Sequence, residues 1–210
     1  TMRTFHSGGV AGADITQALP RVAEIFERRA PKNPGIISLS NGEVTEIKRD
    51  GKAKSVVVMS NDDGSYGAAK KKGLKIEYEM AYSRRAIVKV GDKVVKGQAL
   101  TDGSLNIEDL YELAGQEAAE EYIVNELNKV YELQGASISR KHMELIIKQM
   151  LSRMKIKDTG DTNFTVGEVV ELSDFRIEND RVKEKGGAVA KGTTLILGIS
   201  EVALTTNSWL

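Results

Sequence analysis

The chain has 210 residues, with 30 Lys and Arg against 30 Asp and Glu, so its formal net charge is zero. That balance argues against a free-standing nucleic-acid binder held by bulk charge, and the lack of cysteine excludes disulfides and thiolate metal sites. No apolar run reaches the length of a membrane span and Thr1 to Gly9 has no apolar signal core, so a soluble cytoplasmic chain of one large or two small domains is expected.

The first stretch, Thr1-Met2-Arg3-Thr4-Phe5-His6-Ser7-Gly8-Gly9, carries the densest chemistry. Arg3 and His6 are three residues apart, so on a helix they project from one face. Arginine offers a fixed fork of donors for phosphate, and histidine can donate hydrogen bonds and change charge near neutral pH. A glycine pair follows, where a helix would stop and the chain could swing. One cationic face on a glycine hinge is what a mobile phosphate-binding element needs. The chain begins inside this motif and ends at Trp209-Leu210 just after an apolar run, so both ends read as cut from something longer.

Val10 to Ala18 is small and glycine-interrupted, a loop. Pro20 fits the first position of a helix, where its missing N–H costs nothing. Leu19, Val22, Ile25 and Phe26 then form an apolar stripe, with Arg21, Glu24, Glu27, Arg28 and Arg29 outside it. Pro31 and Pro34 are expected to end this helix. Residues 1–33 thus read as a helical hairpin whose first arm is truncated.

From Gly35 the period changes to two, and residues 34–104 read as a small β module. Ile36 to Leu39, Glu43 to Lys48, Ser55 to Met59, Leu74 to Met80 and Ala86 to Val90 are the expected strands, split by Asn41-Gly42, Asp50-Gly51 and Asn61 to Gly64 turns. Lys70-Lys71-Lys72 reads as a solvated basic loop. Val90 to Leu100, with Gly91 and Gly97 six apart among valines, has the pattern of a tight turn in a sandwich barrel. Biotinyl and lipoyl carriers share it, but the lysine triplet they modify is missing, so the motif is architecture.

Residues 105–157 read as helical through Met154. Asn106 can cap a short helix to Leu113, and Gly115 breaks it. Gln116 to Leu133 follows, with Ala119, Tyr122, Ile123, Leu127, Val130 and Tyr131 on one face and Gln134-Gly135 closing it. Ser139 can cap a third helix, where Met143, Ile146, Ile147, Met150, Leu151 and Met154 follow i, i+3, i+4 spacing. The two long helices are expected to pack antiparallel. His142, in the first turn of the third helix, reads as a surface or capping residue, because no second histidine or carboxylate cluster joins it.

Residues 158–210 return to strands as a second small β segment: Val166 to Val170 opens one, Phe175 to Val182 is a short helix, and Thr194 to Ile199 is an apolar strand. Gly186 to Gly192 lacks both the Lys-Ser/Thr ending of a phosphate loop and the spacing of a dinucleotide turn, so it reads as turns. Glu201 to Leu210 is ambiguous. The fold class is α+β. With no Asp-rich metal cluster, nucleophile elbow or phosphate loop, the Met2, Arg3 and His6 motif reads as one arm of an active site whose other parts lie elsewhere.

Thr1-Met2-Arg3-Thr4-Phe5-His6 with its glycine pair resembles the trigger-loop motif of the bacterial RNA polymerase beta-prime subunit. Leu19-Pro20-Arg21-Val22, Phe26-Glu27 and Pro31-Lys32 resemble that loop's second helix and exit. Val124-Asn125-Glu126, Val130-Tyr131, Leu133-Gln134-Gly135, Lys141-His142 and Gln149-Met150-Leu151 resemble paired helices further along the subunit. Leu197-Gly198-Ile199 and Leu204 to Leu210 resemble the segment before its C-terminal switch region. Residues 34–104 match loosely, where that family has its jaw facing downstream DNA.

The resemblance implies a fragment of a DNA-directed nucleotidyltransferase. The family's magnesium-holding Asp triad and bridge helix lie outside it, so the isolated chain binds no cofactor and is expected to make no RNA. Met2 would pack on the base of the incoming nucleoside triphosphate, and Arg3 and His6 would contact its phosphates. His6 is either a proton donor or an electrostatic contact, and the cationic face that Arg3 already makes favours the second. Arg28, Arg29 and Lys32 would end the second arm near downstream DNA, as phosphate contacts or as plain solvated charges. The implied partners are the alpha, beta and omega subunits and a sigma factor, with DNA template and RNA. No membrane is implied, and the location is cytoplasmic, with the nucleoid. The alternative is a stand-alone sandwich-barrel binding or scaffold module without catalysis.

Overall fold

The computed structural model of the chain describes residues 18–31, 34–50, 53–61, 74–81 and 84–205. In chain order these form α1 (Ala18–Phe26), β1 (Gly42–Asp50), β2 (Ala53–Ser60), β3 (Lys75–Met80), β4 (Lys93–Val94), α2 (Ile107–Ala114) and α3 (Gln116–Leu133). Then come α4 (Arg140–Met150), β5 (Arg153–Asp158), β6 (Val169–Glu171), α5 (Leu172–Glu184), β7 (Lys191–Leu195) and α6 (Ile199–Leu204). Among the described residues, six helices and two antiparallel sheets make an α+β chain, as its sequence implies. Two compact units form: Ala30–Ala119, and Thr1–Arg29 together with Glu120–Leu210.

In the first unit the sheet order is β3-β2-β1-β4. β1 and β2 pair from Gly42 opposite Ser60 to Asp50 opposite Ala53. The register shifts between Val44 and Glu46, so a bulge adds one residue to β1. That is why Val44 and Ile47, three apart, both join the core with Val56, Val58, Tyr78, Met80, Val94 and Leu100, where strict alternation would separate them. Two expected strands, Ile36 to Leu39 and Ala86 to Val90, shrink to the single bridges Ile37–Ala99 and Ala86–Thr101. Side chains take over part of the pairing: Ile36 N–H donates to Thr101 Oγ1 at 2.9 Å and Leu39 N–H to the Tyr78 hydroxyl at 2.9 Å. Asn106 caps α2, accepting from Glu108 N–H at 3.3 Å.

In the second unit β5 lies between β6 and β7. Met154, Ile156 and Val170 form a small core with Phe164, Leu172 and Phe175, the two rings stacked at 6.2 Å. α3 buries Ile123, Val124, Leu127 and Val130, and α4 buries Met143, Ile147 and Met150. α4 stops at Met150, short of the expected Met154, although the apolar spacing runs on. Leu151 caps α4, and Met154 is buried from β5 instead, opposite Thr194 and Val170. Residues Thr194 to Ile199 are not one strand: β7 ends at Leu195, Ile196 and Leu197 are buried, and Ile199 opens α6. The glycine-rich turn before β7 is pinned by side chains. Ala190 N–H donates to Asn179 Oδ1 at 2.8 Å, Asn179 Nδ2 to the Ala190 carbonyl at 3.2 Å, and Ala188 N–H to Asp161 Oδ2 at 2.7 Å.

Candidate functional site

Of the residues singled out for chemistry, Met2, Arg3, His6 and Lys32 lie outside the described residues, as does the expected first arm of the hairpin. Arg28 and Arg29 are described, and they sit where α1 ends. The prolines do not stop this helix. It ends earlier, because Arg28 takes a left-handed backbone, with φ at 52°. Arg29 N–H reaches the Glu24 carbonyl at 2.9 Å and Arg28 N–H the Ile25 carbonyl at 3.1 Å. These are the two hydrogen bonds of a Schellman cap with Arg28 at the left-handed position. α3 and α5 end with the same pair of bonds, and there the position is glycine: Gly135 at 68° and Gly186 at 75°. A side chain with a Cβ costs more in that conformation, so something else must hold Arg28 there.

The first turn of α6 contributes to holding it. Arg28 Nη2 donates to Glu201 Oε2 at 3.3 Å, and the Ser200 hydroxyl donates to Glu27 Oε1 at 2.7 Å. Gly198 comes so close that an added Cβ would stand 2.7 Å from the Glu27 carbonyl oxygen. The far end of α6 is tied as well. Arg153, 1 % exposed, donates from Nε to Thr205 Oγ1 at 3.1 Å and meets Glu171 Oε2 at 3.5 Å. Leu197 N–H donates to the Met150 carbonyl at 2.9 Å. Arg153 was hidden in the sequence by the apolar spacing of Leu151 and Met154. A lone arginine in such a run was the available signal.

Near its start α1 is held to α3. Arg21 donates to the Tyr122 hydroxyl at 3.2 Å, pairs with Glu24 at 3.3 Å, and reaches Glu126 at 3.5 Å. Its buried Nε has no hydrogen-bond partner among the described residues. With Ile25 fully buried four residues on, α1 is anchored by an apolar residue and charged ends rather than by its apolar stripe alone. Arg29 is exposed at the end of this helix. His142 is exposed in the first turn of α4, and its neighbour Arg140 bonds Glu144 and Glu121. Those bonds, Glu144's first, raise the Arg140 guanidinium above its ordinary pKa.

The other unit carries a groove of about 490 Å³ in which Lys54, Arg84, Arg85 and Lys89 stand around Ile47, Met80 and Val88. Lys54 Nζ donates to the Arg84 carbonyl at 3.4 Å, and Arg85 N–H to Asp102 Oδ1 at 2.8 Å, which fixes the backbone under two of these cations. Among the described residues no three His, Asp or Glu side chains are grouped to hold a metal ion, and no helix is long and apolar enough to cross a membrane.

Residues 1–205 match the family model for RNA polymerase Rpb1, domain 5. The chain is 43% identical over 210 residues to the DNA-directed RNA polymerase subunit beta' of Natranaerobius thermophilus. It is 41% identical over 210 residues to that of Clostridium botulinum and 42% to that of Clostridium perfringens. The whole chain is covered in each case, but it spans only 16–17% of the length of these relatives.

Proposed function

The chain belongs to the RNA polymerase Rpb1 domain 5 family, and from that premise we propose that it supplies the mobile arm that closes on the nucleoside triphosphate in a DNA-directed RNA polymerase. The observation that carries the reading is the end-to-end match to beta' subunits, which takes in the Met2, Arg3 and His6 face as well as α1. Phosphoryl transfer leaves little covalent work to the protein: catalysis is positioning and charge stabilisation. An arm with Arg3 and His6 on one face brings two donors to phosphate oxygens as it closes, and Met2 gives the base an apolar surface. The glycines after His6 let the arm move. Between the two readings of His6, the electrostatic one needs only a positioned donor, since Arg3 supplies permanent charge beside it.

Magnesium in such an enzyme is assigned to residues outside this chain, as the resemblance implies, and no step here runs through the ion. Residues 34–104 are read as a jaw facing downstream DNA, with Lys54, Arg84, Arg85 and Lys89 as phosphate-backbone contacts rather than base readers. At the end of α1, Arg29 and Lys32 are the stronger candidates for DNA, because the Arg28 guanidinium already meets Glu201. The partners proposed are the remaining polymerase subunits, DNA and RNA.

The test separates the two roles of His6. In the assembled polymerase, single-turnover nucleotide addition is measured across pH for His6→Ala and His6→Gln. The electrostatic reading expects Gln to keep much of the rate that Ala loses, with little change in the pH profile. A Gln enzyme as slow as Ala makes His6 the proton donor, and wild-type rates in both remove the stretch from catalysis.

A further inference from the structure

The groove lined by Lys54, Arg84, Arg85 and Lys89 is the open end of a hydrophobic core. Along the inner face of β2, Val58 and Val56 are buried, and the next residue on that face is Lys54. Met80, opposite Lys54 on β3, is buried, and so is Val88 in the segment that forms the facing wall. The backbone of that segment is tied down. Ala86 bridges Thr101, Ile87 N–H donates to the Leu100 carbonyl at 2.9 Å, and Lys89 N–H donates to Asp92 Oδ2 at 2.7 Å. Two of the cations are engaged with the fold. Lys54 Nζ donates to the Arg84 carbonyl, and Arg84 lies so close to Gly103 that a Cβ there would stand 2.8 Å from its Nη1. Arg85 and Lys89 are exposed, and their neighbours Asp102 and Asp92 accept from their backbone N–H groups. Val90, on the rim, is 61% exposed.

We propose that this groove docks a segment of a protein partner that is acidic and carries an apolar side chain. Four basic and five apolar residues line it, and among the described residues no acidic one does. Charge complementarity selects an anion. The apolar floor and Val90 then select among anions. A duplex brings phosphates to the rim cations, but its sugar-phosphate surface gains nothing from a valine held in water. An extended polypeptide alternates its side chains, so acids reach Arg85 and Lys89 while an apolar neighbour covers Met80, Val88 and Val90. The inference goes beyond the DNA reading above and rests on it at one point. Segment and duplex both use Arg85 and Lys89, so each excludes the other, and a protein on this groove governs whether DNA is held there.

The experiment uses the assembled polymerase carrying the full-length subunit, free of DNA. The probe is a short peptide of glutamates around one benzoylphenylalanine, an apolar side chain that crosslinks to nearby C–H bonds on irradiation. Mass spectrometry locates the crosslinks, and titration gives the peptide concentration for half-maximal crosslinking to Met80. Crosslinks are expected at Met80, Val88 and Val90. Val90→Ser should raise the half-maximal concentration by about tenfold, as for loss of one buried aliphatic contact. Arg85→Glu with Lys89→Glu should abolish crosslinking to Met80, and the peptide with glutamine for glutamate should give none. The three altered side chains are exposed, so the variants leave the core intact. Crosslinks confined to other surfaces overturn the proposal, as does unchanged crosslinking in the charge variant. An unchanged Val90→Ser also overturns it, because charge alone then binds and a phosphate backbone would serve as well. Downstream duplex added as competitor tests the DNA reading separately. Displacement of the Met80 crosslink supports that reading; a crosslink that persists under saturating duplex removes these cations from DNA contact and leaves the docking in place. A charge variant whose open complex loses salt sensitivity, with no groove crosslink in the wild type, keeps the DNA reading and overturns the docking.

Discussion

At position 28, alanine and glycine separate backbone strain from side-chain contact. Both substitutions remove the Arg28–Glu201 pair, whose arginine side chain is 24% exposed and which is therefore worth at most about 1 kcal/mol. They differ in what the left-handed conformation at φ 52° costs them. A residue with a Cβ loses about 1–2 kcal/mol there, and glycine loses about 0.5–1 kcal/mol more backbone entropy on folding. Glycine should therefore exceed alanine by about 0.5–1 kcal/mol. For a chain of 210 residues that is about 1–4 °C in Tm. Urea unfolding followed by helical circular dichroism gives the difference. Amide exchange in α1 should show faster opening in Arg28→Ala than in Arg28→Gly. Arg28→Gly should lie close to the wild type, since relief of strain offsets the lost pair. Equal stability of the two variants, or a more stable alanine, would show that residue 28 is not left-handed and that α1 does not end in the cap described.

Gly198→Ala should destabilise the unit containing α1 and α6 by about 1–3 kcal/mol, because its Cβ would meet the Glu27 backbone rather than a yielding side chain; a smaller loss by urea unfolding counts against the close approach. Asn106→Ala should cost about 1 kcal/mol through the lost cap of α2, and Asn106→Asp should restore most of it, both read from the same unfolding curves. Leu127→Ala should cost about 2–5 kcal/mol, since the side chain is fully buried in α3, and a loss below 1 kcal/mol would place α3's apolar face elsewhere.

Elements bounded by local chemistry were legible in the sequence. α3 runs from Gln116 to Leu133 as its spacing implies, because Gly115 and Gly135 both adopt positive φ and stop the helix at each side. Asn106 caps α2 for the same kind of reason: the capping group lies within two residues of its partner. Boundaries set by distant contacts were not legible. Nothing local ends α4 at Met150, since Leu151 and Met154 keep helical spacing; it is pairing with β6 and β7 that claims Arg153 and Met154 for a strand. The bulge in β1 and the single bridges at Ile37 and Ala86 depend on which strand or side chain arrives opposite. At the candidate site, Met2, Arg3 and His6 were legible as a motif of residue types and spacing, and they lie outside the described residues. The hold of α6 on α1 was not legible, because Glu27–Ser200 and Arg28–Glu201 each join residues 173 positions apart. Nor did any local feature mark Arg28 as left-handed, since the low-cost residue for that backbone is glycine.

The central claim, that the Arg3 and His6 face closes on the phosphates of the incoming nucleotide, is tested most directly by Arg3→Ala in the assembled polymerase. An interaction made only on closure appears in the saturating rate and not in ground-state binding. Single-turnover addition should slow by on the order of 10²–10³-fold, as for loss of one preorganised donor, with the fraction of assembled, extending complexes unchanged. A saturating rate equal to the wild type would contradict the account.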